Sequence, residues 1–366
     1  MEGPAVLPPS SHTPSLAPNL CAKRFRGFEN PLPRTEVRGY TTIGGHMLSR
    51  VADSLYWMSR YLERAEHTVR MLDVNMGLML DKSSTSAEGR WKRVLAALGN
   101  PQEVRWENDY YQLVHQLTFN PDIPASVTSC LIEARENARQ VRDEISSEQW
   151  QQLNRMYHWV IQPHSEFGLN TRLADFLPAV IDGVHLFQGV TDTTMSHGEE
   201  WQFIQMGRYL ERAAAIANLL DLYQPEILQT PEVAAEGQQY QEWVGLLRCC
   251  TAFEAYCKVY TADITADQIL EFLLLNPQFP HSLRYSVDCL RQALVAIQQS
   301  SGRPPVDELT RISGRLQASL SFVEVSDILA QDAGSYLHNI LQQCRQTHDL
   351  IYRFYIQYSV EAALAM

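Results

Sequence analysis

The hexapeptide Arg60-Tyr61-Leu62-Glu63-Arg64-Ala65 occurs a second time, unchanged, as Arg208-Tyr209-Leu210-Glu211-Arg212-Ala213. Each copy lies in a long stripe of apolar residues. The first runs through Leu48, Val51, Leu55, Met58, Leu62, Ala65, Val69, Leu72, Met76 and Met79, at alternating spacings of three and four. That is the pattern of a helix packed lengthwise against others. No Pro or Gly interrupts it before Gly77, so one helix of roughly 30 residues, ~45 Å long, is predicted. The second stripe, Phe203, Met206, Leu210, Ala213, Ala217 and Leu220, repeats the first at a constant offset.

Two further anchors follow in the same order. Trp91 and Leu95 match Trp243 and Leu247, and Asn120-Pro121-x-x-Pro124-x-Ser126 matches Asn276-Pro277-x-x-Pro280-x-Ser282. Two tandem copies of a unit of about 150 residues describe this best, one over 47–190 and one over 191–366. The Asn-Pro-x-x-Pro-x-Ser element reads as a helix boundary, because the residue before Pro avoids helical geometry and Pro suits a first helical turn. Helices are expected behind it at 127–142 and 283–298, and also at 147–160, 243–260, 266–275, 306–322 and 333–358. The stretch around Pro163, Gly168 and Pro178 reads as the seam between copies. Strand-like alternation is almost absent. The expected fold is all-α: an elongated helical bundle of two tandem units sharing one core, since the long helices must bury their seams somewhere.

Residues 1–46 do not join this pattern. They hold seven of the eighteen Pro and no periodicity able to bury a face, so they read as a disordered or loosely packed extension ahead of a helical domain at 47–366. The abrupt onset at Met47 fits an upstream start codon ahead of the true one; a targeting or regulatory tail is the other explanation. The formal charge of −12 provides no field for nucleic acid. The apolar runs are too short to predict a membrane-crossing helix. Seven scattered Cys without a C-x-x-C argue against a disulfide framework or zinc ribbon and for a reducing cytoplasm. Phosphate-cradling, dinucleotide, nucleophile-elbow and zinc-protease motifs are missing, as is the Glu-x-x-His of di-iron bundles; no metal or cofactor is expected.

With Leu62 and Ala65 facing the bundle, Arg60, Glu63 and Arg64 lie toward the other side of the helix, beside Trp57. Three readings are open. The motif is a solvated face in which Glu63 pairs Arg60 within the helix; or an internal Arg–Glu network beneath a second helical layer; or a site. In the last case Glu63 or Glu211 acts as acid or base while Arg60, Arg64, Arg208 and Arg212 bind a carboxylate or phosphate. Arg60 and Arg64 are like charges one turn apart, unfavourable unless a partner sits between them. A second charged cluster, including Arg135 and Arg139, has the alternation of an exposed helix and is a weaker binding candidate. Asp192, Thr194 or Ser196 is placed to cap the second long helix.

The run Met47-Leu48-Ser49-Arg50-Val51-Ala52-Asp53-Ser54-Leu55-Tyr56-Trp57-Met58-Ser59 into the first hexapeptide resembles the start of the bacterial alpha-E family. Asn137-Ala138-Arg139, Phe187-Gln188-Gly189 and Asn276-Pro277 to Pro280 resemble its later landmarks. The resemblance spans essentially all of 47–366. It implies an all-helical fold and an association with a circularly permuted ATP-grasp ligase-like protein, often near a transglutaminase-like peptidase, in peptide synthesis or modification. It implies no established activity, and the family's glutamate corresponds to Glu63 or Glu211. Where the first copy has Tyr56-Trp57 the second has Ile204-Gln205, which speaks against two equivalent sites.

Overall fold

The computed structural model describes residues 49–80, 86–161, 169–227, 236–261, 264–300, 306–330 and 332–357. The N-terminal extension expected at 1–46 therefore lies outside the described residues, as does the part of the expected seam at 162–168. Among the described residues there are fourteen α-helices and no strand.

The uninterrupted stripe forms helix α1 (Ser49–Leu80), and its counterpart forms α7 (Glu199–Ile227). These two helices pack against each other. At their crossing Gly207 lies so close to α1 that a Cβ there would overlap the Ser59 hydroxyl and the Tyr56 carbonyl oxygen. Helix α4 (Val127–Gln140) lies along α1, and α11 (Leu283–Ser300) lies along α7 in the same way. A second layer covers them. Helix α5 (Ser147–Ile161) packs on α4 and on α6 (Leu169–Thr194), while α12 (Asp307–Ser321) packs on α11 and on α14 (Ala333–Ile351). The short α2 (Ala87–Ala97) reaches across to α7, and α8 (Glu236–Cys249) reaches across to α1. One continuous core results, with Leu55, Leu62, Ala65 and Val69 of the first stripe and Phe203, Leu210, Ala213 and Leu220 of the second all buried in it.

The Asn-Pro-x-x-Pro-x-Ser elements end and start helices as their chemistry dictates. Asn120 Oδ1 accepts from the Asp122 amide and Asn276 Oδ1 from the Gln278 and Phe279 amides, closing an Asx turn in each. Ser126 Oγ then accepts from the Ser129 amide and Ser282 Oγ from the Tyr285 amide, capping α4 and α11. Both serines also donate to the carbonyl of the asparagine six residues back.

Several expectations need correction. The helix expected over 243–260 is two, α8 and α9 (Phe253–Tyr260), because Thr251 takes a left-handed φ of 53° between them. The helices expected to reach 275 and 358 pass into π-helical turns at Glu271–Leu275 and Tyr352–Ile356. Pro178 marks no seam: it sits inside α6. Part of that helix, Leu173–Thr194, is long and apolar enough to cross a membrane by length and composition, which short apolar runs alone did not predict. Its apolar residues Leu173, Phe176, Leu177, Val180, Val184 and Phe187 are nevertheless buried on one face, at helical spacing. They pack against α1 and α5, the usual disposition of an amphipathic helix on a protein core.

Candidate functional site

The repeated motif lies where α1 and α7 cross, and its charges pair between the helices rather than within either one. Glu211 accepts from Arg60 Nε at 2.7 Å and from Arg64 Nε at 2.8 Å. Glu63 accepts from Arg212 through Nε at 2.5 Å and Nη2 at 2.8 Å, with Arg208 Nε 3.9 Å away. Each motif thus supplies the glutamate for the other's arginines. The partner required between the like charges Arg60 and Arg64 is Glu211. Arg60 is fully buried and Glu63, Glu211 and Arg212 nearly so. The solvated-face reading is therefore excluded by the layer formed by α4, α11 and α14. The same crosswise habit recurs at Arg90, which pairs with Glu242 at 2.5 Å, with Arg93 adding a second contact to that carboxylate.

Around Arg60 the site is aromatic and buried. Its guanidinium lies 4.6 Å over the ring of Trp57, and Nη1 is 3.0 Å from His348 Nδ1 and 3.3 Å from the Tyr56 hydroxyl. Arg60 can only donate, so His348 Nδ1 must accept and the imidazole carries its proton on Nε2. Burial, reinforced by the Arg60 charge, holds His348 down to about 2. Neither His348 nor Gln188 was legible as a site residue. Gln188 is tied to Arg208 at 2.8 Å and lies 3.5 Å from Glu66; its signal was its place in the Phe187-Gln188-Gly189 landmark.

The two halves of the network differ electrostatically. Burial alone would push the Glu211 carboxyl up, but Arg64 and Arg60 overcome it and bring it to about 2. For Glu63 burial prevails: its carboxyl is raised despite Arg212, with Glu66 adding like-charge repulsion. Glu66 has no counterpart in the second copy, where Ala214 stands. Its own carboxyl, against the push of burial, is drawn well below the usual range by His185, Arg212, His281 and Arg70.

The surroundings differ in space as well. Arg64, His67, Thr68 and Glu211 line a cleft of about 280 Å³, walled by Leu98, Pro101, Pro124 and Ala125. The equivalent place beside Arg212 and Glu63 is a cavity of only about 20 Å³, bounded by Glu66, Arg70 and His281. There His281 stands where the first copy has Ala125, and Arg212 Nη1 donates to the Pro280 carbonyl. Of the side chains lining this cleft, Arg64 and His67 each keep one buried nitrogen, Nη2 and Nε2, without a hydrogen-bond partner in the protein. Burial lowers His67 to about 4, against the pull of Glu211 and Glu66.

The remaining candidates lie apart from this crossing. Arg135 is bonded to Asn154 Oδ1 at 3.0 Å and stacked over Tyr157 and Trp150, while Arg139 pairs with Glu136 on an exposed face. The structure does not bring Arg139 to the crossing. Asp192 and Thr194 do not cap α7: the Asp192 carboxylate accepts from Trp201 Nε1, and Thr194 bonds back to the Val190 carbonyl within α6. Among the described residues no group of three or more His, Cys, Asp or Glu is arranged to hold a metal ion.

An all-helical domain with a repeated Glu-Arg pair locked across two central helices is the class defined by this geometry. The chain belongs to the Alpha-E family, described as a predicted alpha-helical domain with a conserved ER motif, whose profile matches residues 47–356. Glu63-Arg64 and Glu211-Arg212 are its two ER dipeptides. Uncharacterized proteins of Mycobacterium bovis and Mycobacterium tuberculosis are 26% identical over 327 residues, covering 82% of this chain. The match spans 36% of their own length. No solved structure matches.

Proposed function

We propose that the chain is a non-catalytic helical partner of a circularly permuted ATP-grasp ligase-like protein in a peptide synthesis or modification pathway, and that it arose by duplication of a unit of about 150 residues. The observation that carries this reading is the crossed network itself. Both ER glutamates are committed to buried guanidinium groups of the opposite motif, so they hold α1 to α7 instead of facing a substrate. Counterpart residues meet across the crossing, Ser59 against Gly207 and Arg90 against Glu242, as they do near the two-fold axis of a duplicated unit. The relatives carry the matching region within much longer chains, which fits a module that works beside other domains. Six free cysteines among the described residues fit a reducing, cytoplasmic setting. A transglutaminase-like peptidase is a second partner on this reading.

A catalytic reading has one observation in its favour, the carboxyl of Glu63, which burial raises above its ordinary value, as it does for many catalytic acids. Access weighs against it. Glu63 faces a cavity with room for about one water, whereas Glu211, which does border the cleft, is too weak a base at about 2. Co-purification tests the partner reading: the chain should retain the neighbouring ligase, and a folded chain that retains none would overturn it. Unchanged pathway product with Glu63→Gln and Glu211→Gln is the matching expectation against catalysis.

A further inference from the structure

We propose that the open cleft is a docking socket for a ring-bearing side chain of a partner, carried on a segment with basic residues on either side of the ring. The inference deepens the partner reading above by naming the surface and the chemistry of what it receives, and rests on that reading for its biological setting.

The closed counterpart shows what fills such a place. The two correspond position by position: Arg212, Cys250 and His281 line one where Arg64, Leu98 and Ala125 line the other. In the second copy the chain itself supplies the ring, that of His281, and only about 20 Å³ is left. In the first copy Ala125 stands there and about 280 Å³ stays open. Leu98, Pro101 and Pro124 give it the apolar walls against which an inserted ring packs.

Charge decides which part of the segment enters. At the floor Glu211 already serves both Arg60 and Arg64, so an entering cation would meet two guanidinium groups and the one carboxylate they share. The inserted group is therefore neutral, as His281 is: burial, with Arg212 beside it, holds that imidazole well below its ordinary value. At the rim the sign reverses. Glu103 lies on the cleft and also on an adjoining pocket of about 110 Å³, which Glu107 and Asp109 border. These three carboxylates are exposed, against one exposed guanidinium, that of Arg105. The rim thus favours lysine or arginine flanking the ring.

Titration calorimetry on the full chain tests the proposal with end-blocked peptides: acetyl-Gly-Lys-Phe-Lys-Gly-amide, the same peptide with Ala for Phe, and the same with Glu for both Lys. The first should bind, and each of the others about tenfold or more weakly. Ala125→His, shown folded by its circular dichroism and melting temperature, should fill the socket, abolish binding of the first peptide and end retention of the ligase. Glu103→Lys with Glu107→Lys, both exposed changes, should weaken the first peptide about tenfold and flatten its salt dependence. The assignment falls if the first peptide does not bind at millimolar concentration, if either altered peptide binds as well, or if folded Ala125→His still binds the peptide or retains the ligase. It falls too if the chain forms a dimer that excludes the peptide, which would make a second copy the occupant. Absent peptide binding with ligase co-purification intact overturns the socket alone; peptide binding that Ala125→His abolishes, with no ligase retained by the unaltered chain, overturns the partner reading alone.

Discussion

The residue that decides most is Glu211, because two guanidinium groups depend on it. Replacing it by Gln leaves Arg60 and Arg64 buried and facing each other without a counter-charge, and should cost about 3–5 kcal/mol in chemical denaturation. Arg139→Ala removes a pair that is largely in water and should change stability by less than about 0.5 kcal/mol. The pH dependence follows from the same residues. His67 and His348 are held below their ordinary values, to about 4 and about 2. As pH falls below 6.5, the unfolded chain binds protons that these buried rings refuse, and stability drops. His67 alone should remove about 1.4 kcal/mol per pH unit between 6.5 and 4. Glu211 acts in the same direction further down: its contribution is complete above 4.5 and is lost as pH approaches 2. Urea midpoints between pH 7.5 and 4.5 should therefore decline, and His67→Phe should flatten the decline by about that slope.

Among the elements, the crossing of α1 and α7 is set by one missing side chain. Gly207→Ala gains helix propensity but must push apart two backbones that the Arg–Glu network holds together. The expected net effect is a loss of about 2 kcal/mol or more, read from thermal unfolding. Gly189 gives the contrast: it is exposed, in the helix α6, with nothing near its missing Cβ. Gly189→Ala should stabilise by about 0.5–1 kcal/mol. The sequence pattern located α1, α4, α5, α7, α11 and α12 because each carries an unbroken stripe or a Ser or Pro boundary. It ran α8 and α9 together because nothing in Thr251 announces a left-handed backbone, where Gly or Asn would have signalled it. It passed over α3 (Tyr110–Phe119), whose ten residues offer barely two repeats of a stripe.

For the whole molecule, the crossed network makes each half the counter-ion of the other. A fragment covering 47–194 leaves Arg60 and Arg64 without Glu211, and one covering 199–366 leaves Arg212 without Glu63. Neither should unfold cooperatively when made alone, and both should co-purify when made together; independent folding of either would contradict a shared core. The acidic balance was readable from composition, and Tyr56-Trp57 against Ile204-Gln205 already set the two copies apart in the sequence, but the difference in the space beside the two ion pairs was not legible there. It comes from Glu66 against Ala214 and His281 against Ala125, single differences whose meaning depends on what lies opposite them in space.

The amino-acid order alone determined the helices that carry an unbroken stripe, their buried faces, the Asx-and-Ser boundaries and the repeated motif, since each depends on neighbours within a turn or two. Tertiary packing decided the rest: that Glu63 pairs with Arg212 and not with Arg60, that the pairs are largely buried, and that only one of the motif's two sides opens into a cleft. A charge on a lone helix has water as its partner. Once α4, α7, α11 and α14 exclude that water, the carboxylate must find a guanidinium on whichever helix brings one within reach.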